Sequence, residues 1–439
     1  LNLTSTIHSS LEGMVTCPGD KSISQRVLML GALMNSDMQI KGFLRGEDPL
    51  STMRALNQMG AEIEILDDAL IQIKKKSESF HEPTSPLDLG NSGTGLRLIL
   101  GMVAGLGMKA TFCGDSSLSS RPMRRVIDPL VDMGANIHSE QGMLPISLHA
   151  STLSDNFIYE LPVASAQVKS CILLAGLASK RQVTIIEPVQ TRDHTERMLQ
   201  NFGAQILVQS EDGKNIISLD GRGSFLKAKD YHVVGDISSA AFLIVGCLIS
   251  NSEQLTICDV GMNPSRTGIL SVLKEMGAHI EITNSSIESG EPIADLVVLP
   301  SKLKGVHLKG SIIPNIIDEI PILAIAAAFA DGETWIQDAA ELRVKESDRL
   351  SAISQGLSQL GVTHESFDDG IKIHGSPAPL HLEHPIEIDS FHDHRIAMSF
   401  LMAGLNCNQP VTVTQCDNIF TSFPNFLEVT SSLGFNIEK

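Results

Sequence analysis

A chain of 439 residues is long enough for two or three domains, each with a core of its own. Lys and Arg number 33 against 51 Asp and Glu, a formal charge of −18, which argues against non-specific binding to nucleic acid unless a basic patch is hidden in the fold. With 42% hydrophobic but only 4% aromatic residues, the chain is expected to fold around an aliphatic core rather than stay disordered. Its longest apolar runs, 240–249 and 320–330, fall short of the roughly 20 residues of a membrane-spanning helix. Residues 1–13 lack the basic and apolar regions of a signal peptide, so none is expected. The seven cysteines are scattered and form no Cys-x-x-Cys pair. That argues against a disulfide framework or a zinc ribbon and for buried thiols in a reducing cytoplasm.

The first patterned element is PGDKSISQR at 18–26. Pro-Gly makes a turn, Ser22 is expected to cap a helix running to Leu33, and Lys21 and Arg26 flank its first turn. The segment reads equally as an ordinary capped helix or as an anion site; the glycine spacing of a P-loop is missing. At 53–65 comes MRALNQMGAEIEI, an amphipathic helix, a glycine and an alternating strand. The same junction returns as PLVDMGANIH (129–138), MLQNFGAQILV (198–208) and VLKEMGAHIEI (272–282), and more loosely as LSQLGVTHES (357–366) and VTSSLGFNIE (429–438). The six glycines, Gly60, Gly134, Gly203, Gly277, Gly361 and Gly434, stand 69 to 84 residues apart. Each is expected in the left-handed conformation that ends a helix. Six units of that size divide into two sets of three, so the expected architecture is two similar lobes built from threefold-repeated α/β units. The lobe boundary is expected near 234–241.

Basic and polar residues gather where turns lead into helices. In LGNSGTGLR (89–97) three glycines let the backbone approach a ligand, although neither the Rossmann fingerprint nor a Gly-x-Ser-x-Gly elbow fits. In GDSSLSSRPMRR (114–125) Arg121 precedes a proline and is held extended, a fork for carboxylate or phosphate, while Pro122 suits the first turn of a helix. In PVASAQVK (162–169) Ser165 and Gln167 are placed to hydrogen-bond a polyol or phosphate. TRDHTER (191–197) opens a helix capped by Thr191 or Asp193, with Arg192 at its entrance. IDEIPI (317–322) sets Asp318 and Glu319 before an apolar helix, either to cap it or to do chemistry. In ELRVKESDR (341–349), read as helix, Lys345 and Arg349 share a face with Glu346 beside them; the ordinary meaning is a solvated salt-bridge face. The His-x-His of HDHR (392–395) has no third ligand at a telling spacing, so a metal is not expected. Together these junctions describe a cleft between lobes that gathers a multiply anionic substrate pair.

The strings PGDKSISQR, GNSGTGLR, SSRPMRR, ASAQVKSC, TRDHTER, IDEIPIL, ELRVKESDR, DHRIAMSF and TSFPNF, in this order over nearly the whole chain, resemble the 5-enolpyruvylshikimate-3-phosphate synthase family, most closely its class II bacterial branch. The resemblance implies an enolpyruvyl transferase-like fold: two inside-out α/β barrels joined by two crossovers, one lobe from residues 1–20 and 237–439, the other from 21–236. It implies transfer of the enolpyruvyl group of phosphoenolpyruvate to the 5-hydroxyl of shikimate 3-phosphate, with phosphate released. No metal or organic cofactor is implied, nor any nucleic-acid or membrane partner, and the protein is expected to be a cytoplasmic monomer.

The resemblance also assigns roles. Lys21, Ser22, Arg26, Ser165, Ala166, Gln167, Arg192, Asp318 and Lys345 would hold shikimate 3-phosphate. Lys21, Asn91, Gly93, Arg121, Gln167, Glu346, Arg349, Asp393 and Arg395 would hold phosphoenolpyruvate. Asp318 would be the base for the 5-hydroxyl, Glu346 the acid for the methylene carbon, and Lys21 a third catalytic group. The two substrates carry about −5 to −6 at pH 7, which the cations Lys21, Arg26, Arg121, Arg192, Lys345, Arg349 and Arg395 roughly match. The chain departs from some members: it has Thr421-Ser-Phe-Pro without a preceding lysine, Glu341-Leu342 in place of Asn-Trp, and Gly93 where some glyphosate-tolerant enzymes carry Ala. The sister family acting on UDP-N-acetylglucosamine carries a cysteine five residues before Arg-Pro. Here that residue is Ser116 and Cys113 lies eight before Arg121, which disfavours that rival. A non-catalytic homologue would be expected to have lost one of the named groups.

Overall fold

The computed structural model describes residues 1–7, 10–34, 36–75 and 79–439. The six repeat glycines all adopt positive φ, between 71° and 104°. Each closes a helix: Glu47–Gln58, Arg124–Asp132, His194–Asn201, Gly268–Glu275, Arg349–Gln359 and Phe426–Ser432. Each is followed by a strand: Glu62–Ile65, Asn136–Ser139, Ile206–Glu211, His279–Glu288, His364–Phe367 and Ile437–Glu438. In all six cases that strand forms one edge of a four-stranded sheet, and in all six the opposite edge is a parallel pair. Phe157–Glu160, for example, runs parallel to Gln182–Glu187, which pairs antiparallel with Lys214–Asp220. A parallel pair joined directly in sequence needs a crossover, and a helix supplies it in four of the six sheets; in the other two, Lys21–Met34 and Ile237–Ile249 lead from a strand of one sheet to a strand of the other.

The helices that lead into these parallel strands form the interior. They are α1 (Lys21–Met34), α2 (Gly93–Gly105), α3 (Ala166–Ser179), α4 (Ile237–Ile249), α5 (Ile320–Ala328) and α6 (His394–Gly404). By contacts the chain divides into two units. The first is Gly19–Val233 with Glu288–Glu291; the second is Leu1–Pro18, Val234–Ile287 and Pro292–Lys439. Each holds three of the sheets and three of the helices. The N-terminal strand Leu3–Ser5 lies between Val411–Thr414 and Ile437–Glu438 in a sheet of the second unit.

Helices α4, α5 and α6 are buried at every position, as the all-apolar α5 must be. The apolar runs at 240–249 and 320–330 therefore belong to core helices. Among the described residues no single helix is long and apolar enough to cross a membrane. In the first unit α2 and α3 approach closely through glycine. A Cβ on Gly101 would stand 2.3 Å from the carbonyl oxygen of Cys171, and one on Gly105 2.5 Å from that of Ala175.

Several local expectations need correction. Helix α1 starts at Lys21, so Ser22 lies inside its first turn; the buried carboxylate of Asp20 caps it instead, accepting from the Ile23 N–H at 2.9 Å. The helix ends at Met34, one residue beyond the predicted Leu33. Pro122 precedes the cap residue Met123 and lies outside the helix. Asp193 occupies its cap position but turns its carboxylate to Arg197 Nε at 2.9 Å, because the longer cation one turn on is the stronger partner. Segment 341–349 is not one helix: a 3₁₀ turn covers Ala340–Val344, and the next helix begins at Arg349 under an Asp348 cap.

The α2–α3 contact yields a direct test. Gly101→Ala drives a methyl into the Cys171 carbonyl and is expected to cost about 1–3 kcal/mol of stability. Urea unfolding measures it; an unchanged midpoint would show that the two backbones do not meet there.

Candidate active site

The repeat places chemically active residues at equivalent points, the N-terminal ends of core helices and the entrances of the helices that follow. Lys21 and Ser22 open α1, Asn91 and Gly93 open α2, Ser165 to Gln167 open α3, Asp318 precedes α5, and Asp393 to Arg395 open α6. Arg121, Arg192 and Arg349 stand at entrances of the second helices. Helix N-termini offer unpaired N–H groups and positive potential, so anions are favoured there.

In the first unit, Ser92 caps α2 by accepting from Gly95 N at 3.1 Å and takes a second hydrogen bond from Gln25. Arg121 is buried; its Nη2 donates to Asn91 Oδ1 and, at 3.0 Å, to Ser117 Oγ. A Cβ on Gly93 would come within 3.2 Å of Arg121 Nη1 and 3.1 Å of Arg97 Nη1, so glycine lets both cations press against the helix entrance. Gln167 Oε1 accepts from Arg97 Nη1 and its Nε2 donates to Thr94 Oγ1, each at 2.8 Å. Asn91, Gly93, Arg121 and Gln167 thus converge where α2 and α3 begin.

Ser165 caps α3, accepting from Val168 N at 3.4 Å, with Ala166 as the first helical residue. Arg26 is buried deeper. Its Nη1 donates to Ser22 O at 2.9 Å, its Nε to Thr195 Oγ1 at 2.9 Å and its Nη2 to Ser170 Oγ at 3.0 Å. It ties α1, α3 and His194–Asn201 together. Lys21 Nζ pairs with Asp48 at 3.2 Å. Asp48, Arg97, Ser170 and Thr195 were not singled out in the sequence, although Arg97, Ser170 and Thr195 lie inside the quoted motifs. Asp48 carried no signal beyond an acidic residue in a helix first turn.

In the second unit everything turns on Arg349, which has no exposed surface. Its Nε donates to Asp393 Oδ2 at 2.8 Å, its Nη2 to Glu346 Oε2 at 2.6 Å and its Nη1 to Asp318 Oδ1 at 3.3 Å. Lys345 Nζ lies 3.7 Å from the same Asp318 oxygen. The reading of 341–349 as a solvated face is therefore overturned, because a guanidinium meeting three carboxylates inside the unit is a core element. Burial works against the charged form of Arg349, but Asp393, Glu346 and Asp318 outweigh it and hold its pKa above the ordinary value. Burial likewise resists ionisation of Asp393, yet Arg349 wins and holds that carboxyl below its usual range.

Asp393 does a second job: its Oδ1 caps α6, accepting from Arg395 N at 2.9 Å. Arg395 Nη1 donates to the Asp318 carbonyl at 3.0 Å and stands 3.5 Å from Glu319 Oε1. Glu319 sits at the cap position of α5 without capping it. Instead it accepts from Ser238 Oγ, which takes a hydrogen bond from Arg266 Nη2 at 2.8 Å; Arg266 pairs with Asp236 at 3.0 Å. Nothing in the sequence marked Arg266 or Ser238, whose partners are distant along the chain. Among the described residues no three His, Cys, Asp or Glu are placed to hold a metal ion.

The chemical capacity follows. Asp318 and Glu346 keep 15% and 27% of their side chains exposed while Asp393 is sealed. Two carboxylates are thus within reach of a ligand, both oriented by one guanidinium that cannot lose its proton. One can accept a proton and the other deliver one.

Comparison with known proteins shows the family. The family model for EPSP synthase (3-phosphoshikimate 1-carboxyvinyltransferase) matches residues 5–430. A protein of Ruthia magnifica subsp. Calyptogena magnifica named 3-phosphoshikimate 1-carboxyvinyltransferase is 46% identical over 98% of this chain and 97% of its own. One of Coxiella burnetii with the same name is 44% identical over 98% and 96%. The solved EPSP synthase of Acinetobacter baumannii superposes with a TM-score of 0.87 at 43% identity, covering 100% of this chain and 99% of that one. The enolpyruvyl transferase NikO of Streptomyces tendae superposes at 0.78 with 18% identity, over 100% and 98% of the two chains, a likeness of fold alone.

The Arg349 cluster predicts how stability responds to its loss. Asp393→Asn keeps a capping oxygen but removes a carboxylate from a buried cation, so a loss of about 3–5 kcal/mol is expected in urea unfolding. The native Asp393 carboxyl is held below its ordinary value. Its contribution is complete above about pH 4 and fades only as pH falls further. A variant as stable as the parent would place the balance of Arg349 elsewhere.

Proposed function

The chain belongs to the EPSP synthase family, and from that premise we propose how its own residues perform the reaction. The activity is transfer of the enolpyruvyl group of phosphoenolpyruvate to the 5-hydroxyl of shikimate 3-phosphate, a step of the shikimate pathway. The reading of roles is carried by one observation: Asp318 and Glu346 are drawn onto the guanidinium of Arg349 with Lys345 alongside.

In this reading shikimate 3-phosphate is held by Lys21, Ser22, Arg26, Ser165, Ala166, Gln167, Arg192, Asp318 and Lys345. Phosphoenolpyruvate is held by Lys21, Asn91, Gly93, Arg121, Gln167, Glu346, Arg349 and Arg395. Asp393 acts on it through Arg349 and the α6 cap. A phosphate dianion beside Glu346 favours that side chain's protonated form. Glu346 gives its proton to the methylene carbon of phosphoenolpyruvate, and positive charge develops at the adjacent carbon. The 5-hydroxyl oxygen bonds to that carbon as Asp318 takes the hydroxyl proton. The tetrahedral adduct then returns a methyl proton to the Glu346 carboxylate as its carbon–oxygen bond to phosphate breaks, restoring the double bond and releasing phosphate. The cations neutralise charge on both phosphates and on the adduct. A cytoplasmic monomer completes the proposal; the seven free thiols suit a reducing compartment.

Purified protein is expected to release phosphate from phosphoenolpyruvate only when shikimate 3-phosphate is supplied. Turnover with UDP-N-acetylglucosamine instead would overturn the substrate assignment. Asp318→Asn and Glu346→Gln are each expected to lower kcat by about 10²–10⁴-fold with the fold retained; near-normal turnover in either removes that residue from the mechanism. Light scattering is expected to give a mass near the 47.3 kDa of one chain, and twice that mass would replace the monomer with a dimer.

A further inference from the structure

Helix α3 carries one residue out of keeping with its surroundings. Lys169 has no exposed surface and stands among Val168, Cys171, Ile172 and Leu173 in the core of the first unit. A hydrophobic residue of similar volume is often no less stabilising than a buried ion pair, so the charge calls for a purpose other than packing. Its Nζ donates to Glu187 Oε1 at 2.9 Å and lies 2.7 Å from Glu196 Oε1, both carboxylates almost wholly buried.

These partners sit at two ends of one short connection. Glu187 ends the strand Gln182–Glu187, and Glu196 lies in the first turn of His194–Asn201. The same Glu187 oxygen also accepts from Thr191 N at 3.0 Å and from Thr191 Oγ1, which folds 187–191 back on itself immediately before Arg192. On the other side, Ser170 follows Lys169 and Thr195 precedes Glu196; those two hydroxyls meet at 2.7 Å, and both bind Arg26. Burial pushes the Glu196 carboxyl above its ordinary range although Lys169 opposes it.

We propose that Lys169, Glu187, Glu196 and Thr191 are positioning residues for shikimate 3-phosphate: they fix the main chain that presents Arg192 against the α3 entrance that presents Ser165 and Gln167. None of the four touches substrate. They act by locking together two segments whose side chains do, so that the binding groups are ordered before ligand arrives. The inference rests on the assignment of Arg192, Ser165 and Gln167 to that substrate.

The test is steady-state kinetics of the full-length enzyme with Thr191→Val, which keeps the shape and removes the hydroxyl bond to Glu187. The expected result is a KM for shikimate 3-phosphate raised about tenfold, the worth of one hydrogen bond to a charged group. The kcat and the KM for phosphoenolpyruvate stay close to the parent values, and Thr191→Ser restores the parent KM. A merely structural role predicts a lower melting temperature and a smaller active fraction with both KM values unchanged; that result overturns the proposal, as does an equal rise in both KM values. Arg192→Ala is measured alongside to separate the two layers. If it leaves the KM for shikimate 3-phosphate unchanged, the assignment of Arg192 falls and takes this inference with it. If it raises that KM while Thr191→Val does not, only the inference falls.

Discussion

A guanidinium sealed from water must be answered by carboxylates, because it cannot give up its proton and an unpaired buried charge is very costly. Arg349 imposes that condition on the second unit. Asp393 answers it from the start of α6, Glu346 from three residues before the arginine, and Asp318 from the approach to α5. The order of these partners from buried to exposed matters. Asp393 is sealed and serves structure, as the cap of α6 shows. Asp318 and Glu346 remain partly open and are oriented without being used up. A demand of core electrostatics thereby holds two partly exposed carboxylates on one guanidinium.

The repeat explains why such groups gather at all. Every sheet has a parallel strand pair, a core helix runs directly into one strand of each pair, and every such helix presents its N-terminal turn at the equivalent point. Six copies of one helix–strand junction supply six helix entrances. Sequence variation at those entrances then distributes the labour, with cations and amides in the first unit and carboxylates with cations in the second. The acidic formal charge of the whole chain is consistent with this, since most of the basic residues assigned to substrate stand at or near helix entrances while many of the carboxylates lie on exposed surface.

Much of this was legible from residue patterns. A glycine ending a helix before an alternating strand has a steric cause that survives in any context, which is why all six positions show positive φ. The functional strings were legible for a similar reason: Arg121 before proline and Asp318 before an apolar helix are local anomalies. What could not be read is what tertiary contact decides. Ser22 looked like a cap because its residue type is right, but Asp20, two residues earlier, is buried and already caps the first turn. The run 341–349 has the charge alternation of a solvated helix, and only its contacts with Asp318 and Asp393 reveal that Arg349 is interior and starts a new helix. Asp48, Arg266 and Lys169 have partners between 18 and 30 residues away, with no periodicity to announce them.

The central claim is that Glu346, oriented by Arg349, delivers the proton to the methylene carbon. Running the reaction in deuterium oxide tests it at the atom concerned. If protonation and its reversal occur there, the methylene group of phosphoenolpyruvate and of the product gains deuterium in the presence of shikimate 3-phosphate. The account predicts that the parent enzyme incorporates deuterium and that Glu346→Gln, while still binding shikimate 3-phosphate, does not. Undiminished incorporation by Glu346→Gln would contradict it.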